Sequence, residues 1–451
     1  MTDQSPRVDV PGFIENIVAS GLMDREELVS ALEGLPPTER AKVVARHLVE
    51  SGRLTKFQAE KLLTGRTDGF LLGQYRVLEE LGRGGMGRVY KAVHKTMGRF
   101  VALKLLAPEL TKTDKARELF DREVKAAARL NHPNIVTAYD ANHAGDRCYL
   151  VMEYVDGPNL SQLVKERGAL PVEQACEYIR QSAVGLDYAH EMGLIHRDVK
   201  PSNLLVQQTT TGPQVKILDF GLALVTAGEG VVGEAMMNAT NTVLGTPDYV
   251  SPEQAKNQYN VDGRSDLYSL GCTFYYLLTG EPPFAGGTAS EKMVRHGSDA
   301  PVAVQSKRAG VPDAVAQIVH KLLAKNPKWR YQKAGELATD LAAVVGKKAD
   351  WSAPARPAPK RRADAGASLS TGEDPFDDIE LEEQPSSSTL PTAMMTTKET
   401  LKSPFPRREI RRRRRKRVLW PWILLSILLA FGVVAGVGLL VRHFLSQAVV
   451  H

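Results

Sequence analysis

Four groups of residues in this sequence have types and spacings that could carry chemistry. The first is "ELGRGGMGRVYKAV", where Gly82, Gly84 and Gly87 spell G-x-G-x-x-G. Glycines let backbone N–H groups approach a phosphate without side-chain obstruction. The second is "FVALKLL", a strand-like run with Lys104 at its middle. A lysine among apolar neighbours needs a carboxylate or a bound anion. The third is "LIHRDVKPSNLLV", which gathers His196, Arg197, Asp198, Lys200 and Asn203 ahead of an apolar run. The fourth is "VKILDFGLA", where Asp219 ends an apolar strand and Gly221 permits a bend.

A lone G-x-G-x-x-G is weak, because dinucleotide folds, ATP folds and plain tight turns all use it. In a dinucleotide fold it closes a strand and opens a helix. Here "YRVLEEL" precedes it and "RVYKAVH" follows, both with period two. The pattern predicts a hairpin between antiparallel strands instead. Val89 falls just past the loop, where it could lie over a flat base. Period two places Ala102 and Lys104 on one face of the next strand, with Val101, Leu103 and Leu105 on the other. In "ARELFDREVKAAARL", Phe120, Glu123, Val124 and Ala127 share a helical face. Glu123 interrupts that stripe. It either turns inward to meet Lys104 or sits at the stripe's exposed edge.

Taken in chain order, the glycine hairpin, V-A-L-K, H-R-D-V-K-P-S-N, D-F-G and "GTPDYVSPEQ" resemble a eukaryotic-type protein kinase domain. The wording of "GGMG", "HPNIV" and "GTPDYVSPEQ" is most similar to bacterial serine/threonine kinases. The resemblance covers residues about 75 to 346. It implies an α+β, two-lobed protein-kinase fold, with a small β-rich N-lobe and a large helical C-lobe. It also implies an ATP-dependent enzyme that phosphorylates serine and threonine hydroxyls of protein substrates, using Mg2+, with Mn2+ as a substitute.

Residue by residue, the resemblance puts Gly82, Gly84 and Gly87 over the phosphates. Lys104 contacts the α and β phosphates and is held by Glu123. Asp198 accepts the proton of the attacking hydroxyl, and Lys200 offsets charge near the γ-phosphate. Asn203 and Asp219 supply oxygen ligands to the metal. In "LVMEYVDGPNL" the carbonyl of Glu153 and the N–H of Val155 pair with adenine, behind Met152 as gatekeeper. Leu81, Val89, Ala102 and Leu205 sandwich the base. Thr246 and Asp266 brace the catalytic loop, and Glu253 pairs with Arg330. Ser251 departs from the alanine the family often carries there. Lys200 and "GTPDYVSPE" favour the serine/threonine class over tyrosine kinases. Arg197 implies a receiver for a phosphorylated activation loop, for which Thr240 and Thr242 are the candidate autophosphorylation sites. Asn159 stands near where relatives use an acid to select basic substrates, which argues against such a preference.

These elements sit within a longer chain. The 451 residues are 43% hydrophobic and 24% charged, enough for two or more domains. The net charge of +6 is exceeded by the seven basic residues of Arg411 to Arg417. The remainder is near neutral, so general nucleic-acid binding is not indicated. Three scattered cysteines, Cys148, Cys176 and Cys272, argue for a reducing compartment. Residues 1–70 carry two similar pieces, "SGLMDREELVSAL" and "SGRLTKFQAEKLL". Each has Ser-Gly, a candidate N-cap (Asp24, Thr55) and apolar positions at helical spacing. They predict a small helical N-terminal module, serving as a folded spacer or a regulatory unit.

Residues 347–417 are rich in Pro, Ala, Ser and Thr, with an acidic patch, and read as a disordered linker ending in the basic run. The 23 residues from Val418 to Leu440 carry no charge. As a helix they span about 35 Å at ~1.5 Å per residue, sufficient for a bilayer core. A single transmembrane helix is therefore expected over 418–441, with Trp420 and Trp422 at the interface. The alternative, a buried core helix, lacks a following domain to bury it. The basic block precedes the span, which orients the N-terminus and main domain to the cytoplasm at the cell membrane, with residues 442–451 outside. Gly432 and Gly436 form a G-x-x-x-G face that is a candidate for pairing two spans in a homodimer. The competing functional reading is a catalytically weak or inactive kinase-fold scaffold or adaptor at the membrane. It predicts loss of the base, the strand lysine or a metal ligand, all of which are present.

Overall fold

The computed structural model describes residues 8–108, 113–144, 147–220, 247–256 and 261–346. The expected linker, transmembrane span and tail lie outside the described residues, as do Gly221, Thr240, Thr242 and Thr246. Among the described residues no helix is long and apolar enough to cross a membrane.

The chain begins with the expected helical module. Helices α1 (Val10–Ala19), α2 (Arg25–Ala31), α3 (Ala41–Glu50) and α4 (Lys56–Leu63) form two helix pairs. In each pair the Ser-Gly puts glycine at positive φ, 69° at Gly21 and 71° at Gly52, where a side chain would be strained. The next helix then starts on a capping box: Asp24 with Glu27 in the first pair, Thr55 with Gln58 in the second. The two stripes seen in the sequence meet in one core. Leu28 and Ala31 from the first, and Ala59 and Leu62 from the second, close over Phe13, Ile17, Val44 and Leu48.

A six-stranded antiparallel sheet follows, in the order β1-β2-β3-β4-β6-β5. Its strands are β1 (Leu71–Leu72), β2 (Tyr75–Gly84), β3 (Gly87–His94), β4 (Phe100–Leu106), β5 (Ala138–Ala144) and β6 (Arg147–Glu153). The period-two reading of β4 holds. Val101 and Leu103 face a cluster with Val77, Tyr90, Tyr149 and Val151, against which Phe57 of α4 packs. The other face carries Ala102, Lys104 and Leu106. There Leu106 meets Phe120 and Val124 of α5 (Asp114–Ala127).

The larger lobe is helical. Its centre is α7 (Val172–Glu191), joined by α6 (Leu160–Arg167), α8 (Pro252–Ala255), α9 (Gly263–Thr279), α10 (Ala289–Ser298), α11 (Val304–Lys307), α12 (Asp313–Leu322) and α13 (Ala334–Val345). Helix α9 is buried on every side from Ser265 to Leu278, as a helix threaded through a core must be. A short hairpin, β7 (Leu204–Thr209) and β8 (Gly212–Ile217), lies where the two lobes meet.

One buried ion pair ties the end of the lobe together. Glu253 and Arg330 are 6% and 2% exposed. They form two hydrogen bonds of 2.7 and 2.9 Å, as expected from the sequence. Arg330 also donates to the carbonyls of Ala324, Arg264 and Lys325. Removing the carboxylate leaves a buried, uncompensated guanidinium. Glu253→Ala is expected to cost about 3–5 kcal/mol of stability, read as a fall in the urea midpoint. A shift of under ~1 kcal/mol would contradict this account of the pair.

Candidate active site

The catalytic loop is built around one buried carboxylate. Asp266, 1% exposed, enters from α9. It accepts from the backbone N–H of His196 at 2.8 Å, from that of Arg197 at 2.7 Å, and from His190 Nε2 at 2.8 Å. Burial pushes its carboxyl upward. The hydrogen bond and charge of His190, with His196, more than offset this and hold it below the usual carboxylate range. To present both amides to one carboxylate the chain turns left-handed at Arg197, with φ of 65°. Gln254 fixes the other side of that residue, donating to the Arg197 carbonyl at 2.8 Å.

Asp198 follows directly. Its Oδ2 receives Lys200 Nζ at 2.7 Å and Asn203 Nδ2 at 3.1 Å, and Asn203 also donates to its carbonyl at 2.9 Å. His196 completes the loop. Its Nδ1 accepts from Asp198 N at 3.2 Å, and its Nε2 lies 2.6 Å from the Leu218 carbonyl, so the network assigns the proton to Nε2. Leu218 N in turn donates to the Asn203 carbonyl at 2.9 Å. These bonds bring two segments with separate sequence signals side by side.

Asp219 also sits at positive φ, 64°. From there its Oδ2 meets Lys104 Nζ at 2.7 Å, across the gap between lobes. Burial pushes the Asp219 carboxyl up, but Lys104, with His196 and Lys200 further off, holds it below the usual carboxylate range. This corrects one expectation. Lys104 takes Asp219, not Glu123, as its ion-pair partner. Glu123 does turn inward and is 7% exposed, but it pairs with its neighbour Arg122 at 3.5 Å. A helical face narrows which way a side chain points and leaves open how near its helix lies. Asp219 is simply the closer carboxylate here.

Around this centre the sheet supplies a roof and the hairpin a floor. Val89 stands opposite Lys104, and Ala102 stands opposite Met152 at the rear. Leu205 bridges to Asn159, and Val206 N donates to the Pro158 carbonyl at 2.9 Å, drawing β7 against the segment at 158–159. Val155 is buried, while Glu153 pairs with Lys216 at 2.7 Å. Leu81 is 45% exposed, swung out by a bulge in β2. The glycine stretch is a hairpin, with Gly84 opposite Gly87. That excludes the strand-to-helix turn of a dinucleotide fold. Gly87 is required by packing, since a Cβ there would lie 2.0 Å from the Leu105 carbonyl.

Sequence reasoning missed the anchor of the floor. Asn134 donates to the Val215 carbonyl at 2.9 Å, and its own carbonyl accepts from Ile217 N at 2.9 Å. This holds β8, and so Asp219, against the segment before β5. An asparagine inside "HPNIV" was the available signal. It also left Ser251 as a mere departure. The side chain caps α8, accepting from Gln254 N at 3.3 Å, and is shared with Ser265 at 2.5 Å.

Residues 75–340 match the protein kinase domain family, more than half of the chain. The chain belongs to that family. Its kinase domain is 40% identical over 282 residues to the serine/threonine-protein kinase PknB of Mycobacterium tuberculosis, covering 62% of this chain and 44% of that one. It is 41% identical over 278 residues to PknB of Mycolicibacterium smegmatis, covering 61% and 43%. The chain thus spans less than half the length of these relatives. The crystal structure of Rad53 in complex with AMP-PNP superposes with a TM-score of 0.50 at 29% identity, over 60% of this chain and 66% of that one.

Asp219 and Asp266 both titrate lower folded than an unfolded aspartate, near ~3.9. Their ionised forms therefore stabilise the fold above that value, and the gain is lost as pH falls through their depressed folded values. Asp266→Asn turns a donor toward donors. It is expected to cost about 2–4 kcal/mol at neutral pH, and to lose stability less steeply than wild type below pH ~4. Thermal melts across pH would check both, and an unchanged acid limb would count against the assignment.

Proposed function

We propose that this protein is an ATP-dependent serine/threonine protein kinase, moving the γ-phosphoryl group of ATP to protein hydroxyls. The observation that supports this most directly is the convergence of Lys104, Asp198, Lys200, Asn203 and Asp219, drawn from both lobes, at one cleft. Phosphoryl transfer asks mainly for positioning and charge neutralisation, and these residue types supply both.

Asp198 would take the hydroxyl proton. Its Oδ2 is held by Lys200 and Asn203, and its Oδ1 makes no hydrogen bond among the described residues. Lys200, held 2.7 Å from that carboxylate, stays close enough to offset charge gathering on the transferred group. Lys104 would orient the nucleotide's inner phosphates. Gly82 and Gly84 support the same reading, since a Cβ at either would meet nothing within 4 Å. Their own fold does not demand glycine, whereas a phosphate approached by backbone N–H groups does.

The donor set fits a hard divalent cation, magnesium or manganese. Asn203 spends its amide nitrogen on Asp198, which leaves its oxygen to face outward, and Asp219 brings a carboxylate beside it. Bound between them, such an ion would neutralise the phosphate oxygens. The pairing of Lys104 with Asp219 and of Glu123 with Arg122 is read as a resting arrangement. Transfer needs Glu123 brought to Lys104.

Activation-loop autophosphorylation at Thr240 and Thr242, read by Arg197, belongs to this proposal. So does a cytoplasmic domain tethered to the cell membrane through residues 418–441, with Gly432 and Gly436 as a dimer contact. These parts rest on the sequence, and the residues concerned, apart from Arg197, lie outside the described set.

Asp198→Asn keeps the loop's shape but removes the proton acceptor. Transfer of labelled phosphate from ATP to the chain itself and to a generic basic protein is expected to fall by about 10²–10⁴, with the melting temperature little changed. Lys104→Met should lose transfer as well. Near-wild-type turnover in Asp198→Asn would overturn the mechanism.

A further inference from the structure

The two capping boxes of the N-terminal module differ in one chemical respect. Asp24 and Glu27 are carboxylates and can only accept. Asp24 Oδ1 accepts from Glu27 N at 2.8 Å, Glu27 Oε2 accepts from Asp24 N at 3.2 Å, and both face solvent. Thr55 and Gln58 do the same work, accepting at 3.2 Å and 2.9 Å, but each keeps a donor to spare. Those donors leave the module. The Thr55 hydroxyl donates to the Leu78 carbonyl at 2.5 Å, and Gln58 Nε2 donates to the Val77 carbonyl at 2.6 Å. Gln58 is 2% exposed, so its bond is sealed from water. The neighbouring Arg76 reaches the other way, donating to the Leu22 carbonyl in the first helix pair. Three successive residues of β2 are therefore tied to the module.

They are tied at a weak point of the strand. The register of β2 against β3 pairs Val77 with Ala92 and Glu79 with Lys91, so Leu78 is an extra residue with no partner across the ladder. A second such step skips Leu81. Of the three residues the module grips, Leu78 is the one that β3 leaves unpaired. Beyond the two bulges the strand continues into Gly82 and Gly84. From Leu78 to Gly84 is about 20 Å at ~3.3 Å per residue, long enough for a small change of angle at the bulge to displace the loop tip. That tip lies over the reacting groups, with Met86 Sδ 3.9 Å from Lys104 Nζ.

We propose that Thr55 and Gln58 are positioning residues of the nucleotide site. Through the carbonyls of Val77 and Leu78 the N-terminal module sets the angle of β2 at its bulge, and with it the pose of the glycine loop. The proposal rests on the loop covering a nucleotide, as the proposed function holds. The module is then a part of the kinase's roof, and anything that loosens it loosens the grip on ATP.

The test gives the second capping box the chemistry of the first. In the full chain, Thr55→Asp with Gln58→Glu keeps both cap acceptors and removes both outward donors. Gln58→Met, neutral and similar in length, guards against an acidic pair that fails to fold. The mirror change, Asp24→Thr with Glu27→Gln, is the control. Two readouts are taken: calorimetric affinity for a non-hydrolysable ATP analogue with magnesium, and hydrogen exchange of peptides spanning residues 79–90. Loss of the two bonds is expected to weaken analogue binding about tenfold and to speed exchange over 79–90, while exchange within α1 to α3 stays as in wild type. The control should stay within about twofold of wild type. Folded variants with unchanged affinity overturn the proposal, and so does weakened affinity with unchanged exchange. Should the wild-type chain bind no analogue, the kinase reading itself falls, and exchange over 79–90 alone then decides whether the module holds the loop.

Discussion

The site depends on a carboxylate that touches no reacting atom. Asp266 comes from a helix buried on all sides and collects three N–H donors, two of them consecutive backbone amides. Backbone amides in sequence point in different directions unless the chain bends. Satisfying both from one carboxylate forces Arg197 into a left-handed turn. A non-glycine residue there costs of order 1–3 kcal/mol, which the surrounding bonds must outweigh. The turn aims Asp198 into the cleft. Gln254 holds the outer carbonyl of Arg197, and α8 carrying it is capped by Ser251. Strain, cap and buried acceptor are thus one device.

A second device works across the lobes. Asp219 shares the left-handed backbone and reaches Lys104 on the sheet. The hairpin that delivers Asp219 is itself pinned by Asn134, and Leu218 is bonded to both His196 and Asn203. Groups whose charges would repel or seek water are held within a few ångström by bonds that each satisfy something else. That is partial preorganisation for the proposed phosphoryl transfer, with the Lys104–Asp219 pair as its resting form. It also bears on the separate module that the small lobe carries: β2 runs from the module's clasp to the glycine loop.

Much of this was legible beforehand. Period two in "FVALKLL" gave the correct faces of β4, because a strand's alternation survives any packing. The hairpin around Gly82 and Gly87 and the doubled helix pairs of residues 10–63 emerged as read, while the Glu253–Arg330 pair and the bracing role of Asp266 emerged as the family resemblance implied. Short-range order is written in short-range chemistry, and a caps-and-stripes pattern needs no distant partner to be recognised.

What only the tertiary structure decided are choices among partners that the sequence leaves equal. Glu123 turns inward, one of the two placements its position on the stripe allows, yet Lys104 pairs with Asp219, because which carboxylate is nearest depends on where α5 comes to rest. Asn134 and Ser251 carry polar groups whose partners lie far along the chain or depend on a cap that forms only in the fold. The difference between Asp24–Glu27 and Thr55–Gln58 was visible as letters, but spare hydrogen-bond donors acquire meaning only when carbonyls arrive to meet them. Residue type determines what a group is able to donate or accept; distance, set by the whole chain's packing, determines to whom.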